Sequence, residues 1–286
     1  MFYQKKEDTM FDWRLFLVLV LVCVPGVLVV VPGALSSAEA TARKRLPEGK
    51  EMPRREVMFV VTVVQTLAFV AIAAAAGTAL APRVGLGAPF FEALVAGEPL
   101  WPALRPQLLP ALGLSVAGAL AFLAAYYGFF VRRLDPETVH TIDELRNRIG
   151  IRGRVLYGGV VEEVFMRWGL MTVLVWLGAL LVGKPSAGVM WAAILLSGVL
   201  FGLGHAPGYL AAGARRTPMF FAATIFLNLW AGMIFAWLYW HYGLEAAMIG
   251  HALFHLVWWP VDVRVYRATL HPTPPPLKGG ASGEVF

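Results

Sequence analysis

Cysteine is almost missing from this chain: Cys23 is the only one among 286 residues. A disulfide framework and a cysteine-built metal site are both excluded. Charge is scarce as well. Asp, Glu, Lys and Arg make up 15% of the residues, against about 25% in a soluble domain. Hydrophobic residues reach 58% and the mean hydropathy is +0.66. These deficits exclude a water-soluble enzyme, a disordered chain and a secreted disulfide scaffold. Three catalytic signatures are absent too: there is no HExxH, no serine spaced for a GxSxG elbow and no Gly-rich phosphate loop. No internal repeat is visible.

What the chain has is long apolar runs. A transmembrane helix needs about 20 apolar residues, and such runs lie near 13–32, 57–81, 108–131, 155–182, 188–206, 218–240 and 243–260. The expected fold is therefore all-α, a polytopic membrane bundle of seven helices, or eight if the charged fourth run is broken. His241 to Gly243 must form a tight turn between the last two runs.

Lysine and arginine alternate between the connections. Six fall in 33–56, six in 132–154, two at Arg215 and Arg216, and three after the last run (Arg264, Arg267, Lys278). The opposite side has only Lys5, Lys6, Arg14, Arg83, Arg105 and Lys184. The positive-inside rule places the richer side in the cytoplasm and the N-terminus outside, in a cell membrane. Anionic lipid accounts for the formal charge of +6, so no nucleic-acid partner is implied. Ala38-Glu39-Ala40 resembles a signal-peptide cleavage site, but the preceding acidic residues and the length of the apolar run argue against one. Residues 132–154 read as an amphipathic helix on the cytoplasmic surface, with Asp135 as N-cap and Pro136 at the first helical position. The chain thus divides into N-terminal transmembrane helices with a basic loop (1–131), this amphipathic segment (132–154), a membrane core (155–263) and a tail (264–286). The tail is Pro- and Gly-rich from His271 and reads as disordered. Trp258, Trp259, Tyr126 and Tyr127 read as interfacial anchors.

Glu162 and Glu163 stand inside an apolar run, five and four residues before Arg167. A charge at a helix centre costs about 2.5–3.5 kcal/mol on the insertion scale, so the three must face a polar, protein-lined space. Glu163 and Arg167 share a helix face and form a favourable pair, which leaves Glu162 without that partner. His205, His251 and His255 also fall within apolar runs; Phe201 and His205 share a face, as do His251 and His255. Asn228 is the only amide in its run and reads as a helix–helix hydrogen bond. Glu162 helped by His205 can take a proton from water, while His251 and His255 can donate to a developing oxyanion. The same four groups, Glu162, His205, His251 and His255, also make a plausible zinc site.

In order and spacing, Glu162-Glu163-x-x-x-Arg167, Phe201-x-x-x-His205 and His251-x-x-x-His255 resemble the CAAX prenyl protease and bacteriocin-processing (CPBP, or Abi) family of intramembrane endopeptidases. The resemblance covers about 155–260 and makes the membrane core the catalytic one. It implies hydrolysis of a peptide bond in a membrane-associated protein or peptide at the bilayer. Glu162 and His205 would activate water, His251 would help to form the oxyanion site, and Glu163 and Arg167 would support them. The family usually has asparagine or another small polar residue where this chain has His255. The implied mechanism requires no cofactor, with zinc as the alternative. Two other classes remain, an ion- or proton-coupled transporter using Glu162 and the histidines as a relay, and a non-catalytic immunity or scaffold protein.

Overall fold

The computed structural model describes residues 11–43 and 52–270. Residues 44–51 of the basic connection and the tail from His271 lie outside the described residues. Nine α-helices follow in order among the described residues: α1 (Trp13–Arg43), α2 (Arg55–Leu80), α3 (Pro89–Ala96), α4 (Leu100–Ala125), α5 (Pro136–Gly153), α6 (Thr172–Val182), α7 (Ala187–Ala212), α8 (Pro218–Tyr242) and α9 (Leu244–Leu270). No strand occurs among them, and the bundle is all-α.

Helix starts follow local chemistry. Asp135, Ser186 and Thr217 cap α5, α7 and α8, each side chain accepting the backbone N–H three residues on, which satisfies a donor the helix leaves unpaired. Pro89, Pro136 and Pro218 occupy first-turn positions, where no N–H is missed. Partial burial raises the Asp135 carboxyl, but hydrogen bonds from Thr138 and the charge of Arg215 outweigh it and hold the group below its ordinary range. The turn after α8 shrinks to Gly243, at φ 106°, a conformation that side chains resist.

Six stretches are long and apolar enough to cross a membrane: Trp13–Ser36, Arg55–Val84, Leu100–Phe130, Pro136–Val182, Ala187–Ala212 and Pro218–Tyr242. The seventh expected run forms α9 but is not among them, because Glu245, His251, His255, Asp262, Arg264 and Arg267 make it a polar helix. It packs inside the bundle against α4, α8 and α5. The two ends of the bundle are also distinct. At one, Arg215 reaches Asp135 and Glu137; at the other, Leu244 N–H donates to Gly87 O and Glu245 accepts from Phe91 N–H.

One face of residues 132–154 is buried against the bundle. Gly150, at φ 65° and ψ 172°, breaks the run inside α5, so the interruption expected in the fourth run falls before it. Thr138, Ile142, Asp143 and Arg146 turn inward. Arg146 pairs with Asp143 and, at 2.9 Å, with Asp262; Arg154 pairs with Asp262 at 2.5 Å. These two arginines are therefore interior ion-pair partners rather than free loop charges. The aromatic anchors are corrected on the same grounds. Trp258 is buried against Phe122 and Phe254, and both guanidiniums lie 4.9 Å from its ring. Tyr126 donates to Asp143 and Tyr127 to Asp262. A carboxylate buried in a bundle draws nearby hydroxyls and guanidiniums to itself.

Asp262→Ala would leave two guanidiniums buried without their shared carboxylate, at a cost of about 3–5 kcal/mol. Thermal unfolding in detergent should show a large loss of stability, whereas Lys184→Ala in the exposed connection between α6 and α7 should show almost none.

Candidate active site

Between α5 and α6 the chain winds as π-helix, over Arg154–Glu162 and again over Val164–Met171, with Glu163 at the joint. π-Helices are rare, are mostly single-turn bulges and frequently mark functional sites. This segment runs between α1 and α2 on one side and α9 on the other. Gly158 and Gly159 let α9 approach. A Cβ on Gly159 would sit 3.1–3.3 Å from Ala252, and one on Gly158 would sit 2.9 Å from His255 Nε2 and 3.5 Å from His251 Nε2. The two Nε2 atoms therefore converge over Gly158, one helical turn before the glutamates.

The imidazoles belong to a column of stacked rings. Phe235 lies 4.3 Å from His251, His251 lies 4.8 Å from His255, and His255 lies 5.8 Å from Trp258, with interplanar angles of 18–28°. Glu163 locks the column in place. It is fully buried, and its Oε1 lies 2.7 Å from His251 Nδ1 while its Oε2 faces Arg167 Nε at 3.2 Å. Arg167, 2% exposed, also donates to Gly232 O. A carboxylate on Nδ1 fixes the ring orientation, stabilises the imidazolium and leaves Nε2 for chemistry.

His205 is set up in a similar way by its own helix: its Nδ1 lies 2.8 Å from Phe201 O. With Nδ1–H donated there, Nε2 carries the free lone pair. Glu162 makes no hydrogen bond or ion pair among the described residues, is half-buried, and lies within electrostatic reach of Tyr157 and Tyr209. Tyr209 lies one turn beyond His205, with ring centroids 6.5 Å apart, and so links the two groups. His255 and Tyr209 are half-buried.

Asn228 does not hydrogen-bond across helices; its Nδ2 donates to Thr224 O of its own helix. Among the described residues no group of three or more His, Cys, Asp or Glu side chains could hold a metal ion. Two imidazole nitrogens do converge, but the carboxylate nearest to them is already engaged by His251 and Arg167. His251 and His255 converge, but Glu162 and His205 are not gathered with them into such a group.

The sequence reading passed over the continuation of the polar face. His251, His255, Trp258 and Asp262 recur at i, i+4, i+7 and i+11, the spacing of one helix stripe, and Asp262 closes it. It also passed over Glu245, buried at the opposite end, whose signal was an acid in the first turn of an otherwise apolar segment.

Glu162 is half-buried without a side-chain partner among the described residues, Phe201 O orients His205, and Glu163 backs His251, in a bundle whose apolar helices suggest a multi-pass membrane protein. Residues 149–257 match the family model described as type II CAAX prenyl endopeptidase Rce1-like, and that range contains every residue of the three motifs above. Over that stretch the chain is similar to CAAX-type intramembrane proteases. No curated protein matches the chain, and no solved structure does.

Gly158→Ala would insert a methyl group against the ends of two side chains rather than against backbone. The fold should persist while the imidazoles shift. Peptidase activity is expected to fall by about 10–100-fold, the scale on which small misplacements act, with the unfolding temperature nearly unchanged.

Proposed function

We propose that this chain is an intramembrane endopeptidase that hydrolyses a peptide bond of a membrane-associated protein or peptide without a cofactor. The observation that carries this reading is the division of labour between two adjacent carboxylates. Glu163 is consumed by Arg167 and His251, while Glu162 is half-buried with no side-chain partner among the described residues.

In this mechanism a water molecule lies between Glu162 and His205. The Glu162 carboxylate takes its proton, helped by the free Nε2 of His205, and the hydroxide adds to the scissile carbonyl. The charge that develops on the carbonyl oxygen is met by Nε2–H of His251, held as imidazolium by the Glu163 carboxylate, and by His255 beside it. Glu162 then returns its proton to the leaving amine as the C–N bond breaks. Arg167 pairs with Glu163, since an unpaired carboxylate in the bilayer would be costly. The richer basic connections place the Arg215 end of the bundle in the cytoplasm, with the N-terminus outside, in the cell membrane.

Glu162→Gln keeps the size of the side chain and removes the base. General-base loss costs about 10²–10⁴-fold, so processing should cease while the protein stays abundant. The test compares the membrane proteome of cells carrying wild type or Glu162→Gln, by intact mass and terminal peptides. One set of membrane-associated proteins should accumulate unprocessed in the variant. If every protein keeps its length while the variant is expressed normally, the proposal fails.

A further inference from the structure

The end of the bundle opposite Arg215 holds a buried carboxyl group that the proposed reaction does not use. Glu245, 4% exposed, is the second residue of α9 and lies just beyond Tyr242, where the last apolar stretch ends. Its Oε1 accepts the N–H of Phe91 at 2.8 Å, and Leu244 N–H donates to Gly87 O at 3.0 Å. These two bonds join the head of α9 to the start of α3. Gly243 lets the pieces meet, since a Cβ there would strike the ring of Pro89. The N–H of Phe91 is one of the donors that the first turn of α3 leaves unpaired, so Glu245 caps α3 from another helix.

The unmet hydrogen-bonding capacity here is of one kind. Glu245 Oε2 and Gln107 Oε1 are buried, and neither has a partner among the described residues. Gln107, on α4, is 1% exposed and lies within hydrogen-bonding reach of Glu245. Turning its amide over does not help. Its Nε2 donates to Ala103 O at 3.0 Å, and the reversed amide would set Oε1 against that carbonyl. A buried acceptor without a donor is costly. One proton satisfies both oxygens, carried on Glu245 Oε2 and donated to Gln107 Oε1.

The surrounding charges favour the same state. Glu92 faces Glu245 from α3, α8 contributes the Tyr239 phenol, and α4 contributes the uncharged Gln107. Among the described residues no arginine or lysine pairs with Glu245. Burial pushes its carboxyl up to about 7; the Phe91 N–H and Gln107 oppose this, and the charge of Glu92 adds to it. We propose that Glu245 is protonated in the folded protein and acts as a pH-set clasp, its neutral carboxyl holding α3 and α4 to the head of α9 and its ionised form releasing them. His251 and His255 lie further along the same helix, so the clasp steadies the element that supplies both imidazoles. In the orientation proposed above this end faces outside the cell, and the clasp therefore answers to the external pH. It does not rest on the endopeptidase reading.

A carboxyl that holds its proton more tightly in the folded chain than in the unfolded one stabilises the fold fully below its ordinary value of 4.5. That contribution is lost as the pH rises through about 7. The test is thermal unfolding of the full chain in detergent from about pH 5 to 9, with Glu245→Gln beside wild type. The wild-type unfolding temperature should fall by several degrees above neutral pH. The Glu245→Gln amide donates to Gln107 and accepts from Phe91 at any pH, so this variant should lose that fall and be the more stable of the two at the alkaline end. An equal fall in both proteins overturns the proposal. So does a Glu245→Gln protein that unfolds as early as Glu245→Ala at acidic pH. Hydrogen exchange on wild type decides the matter without any variant. Protection of the Phe91 amide, corrected for its intrinsic exchange rate, should drop about tenfold for each pH unit above about 7; protection that stays constant overturns the clasp.

Discussion

One buried carboxylate ties the centre of this bundle together. Glu163, with no exposed surface, holds Arg167 through one oxygen and His251 through the other. Each of the three would be unfavourable alone in an apolar interior, because a buried charge without a partner is costly in protein and in lipid. Together they join the π-helical segment to α9, and Arg167 extends the tie to Gly232 on α8. The orientation of His251, and through ring stacking that of His255, depends on this tie.

The glycines and the helical winding serve the same end. Gly158 and Gly159 remove the side chains that would keep α9 away from the π-helix. In the π-helical stretch Glu163 is buried and faces Arg167 and His251, while Glu162 is half-buried without such partners. The stacked column from Phe235 to Trp258 then runs between two charged regions, the Glu163–Arg167 pair at one end and the Arg146–Arg154–Asp262 cluster at the other. Asp262 matters for the same reason as Glu163: a single carboxylate satisfies two arginines from a different part of the chain. The bundle is therefore specified by a few buried ionic contacts set among apolar helix faces that themselves offer little preference for one packing over another.

The apolar runs were legible in the sequence because hydropathy is a local property, and the six stretches long and apolar enough to cross a membrane coincide with six of the seven expected runs. The motif spacings were legible for the same reason: Glu162 with Arg167, Phe201 with His205, and His251 with His255 need only helical periodicity. Contacts across the chain were not. Asp262 lies 108 residues from Arg154, and nothing local in 132–154 distinguishes an arginine facing headgroups from one facing a buried acid. Trp258, Tyr126 and Tyr127 were misread because an aromatic residue near a span end looks the same whether it faces lipid or a guanidinium. The π-winding was hidden because it depends on the packing of α1, α2 and α9 around the segment. The helix stripe that ends in Asp262 could have been read, and it would have exposed the polar character of α9.

The central claim is that two neighbouring carboxylates have opposite duties, Glu163 in structure and Glu162 in chemistry. Thermal unfolding of wild type, Glu162→Gln and Glu163→Gln in detergent tests it most directly. The account predicts that Glu162→Gln unfolds at or above the wild-type temperature, since it removes an unpaired charge. Glu163→Gln should lose about 3–5 kcal/mol, the cost of leaving Arg167 without its buried partner. Equal effects of the two substitutions, or a greater loss from Glu162→Gln, would contradict it.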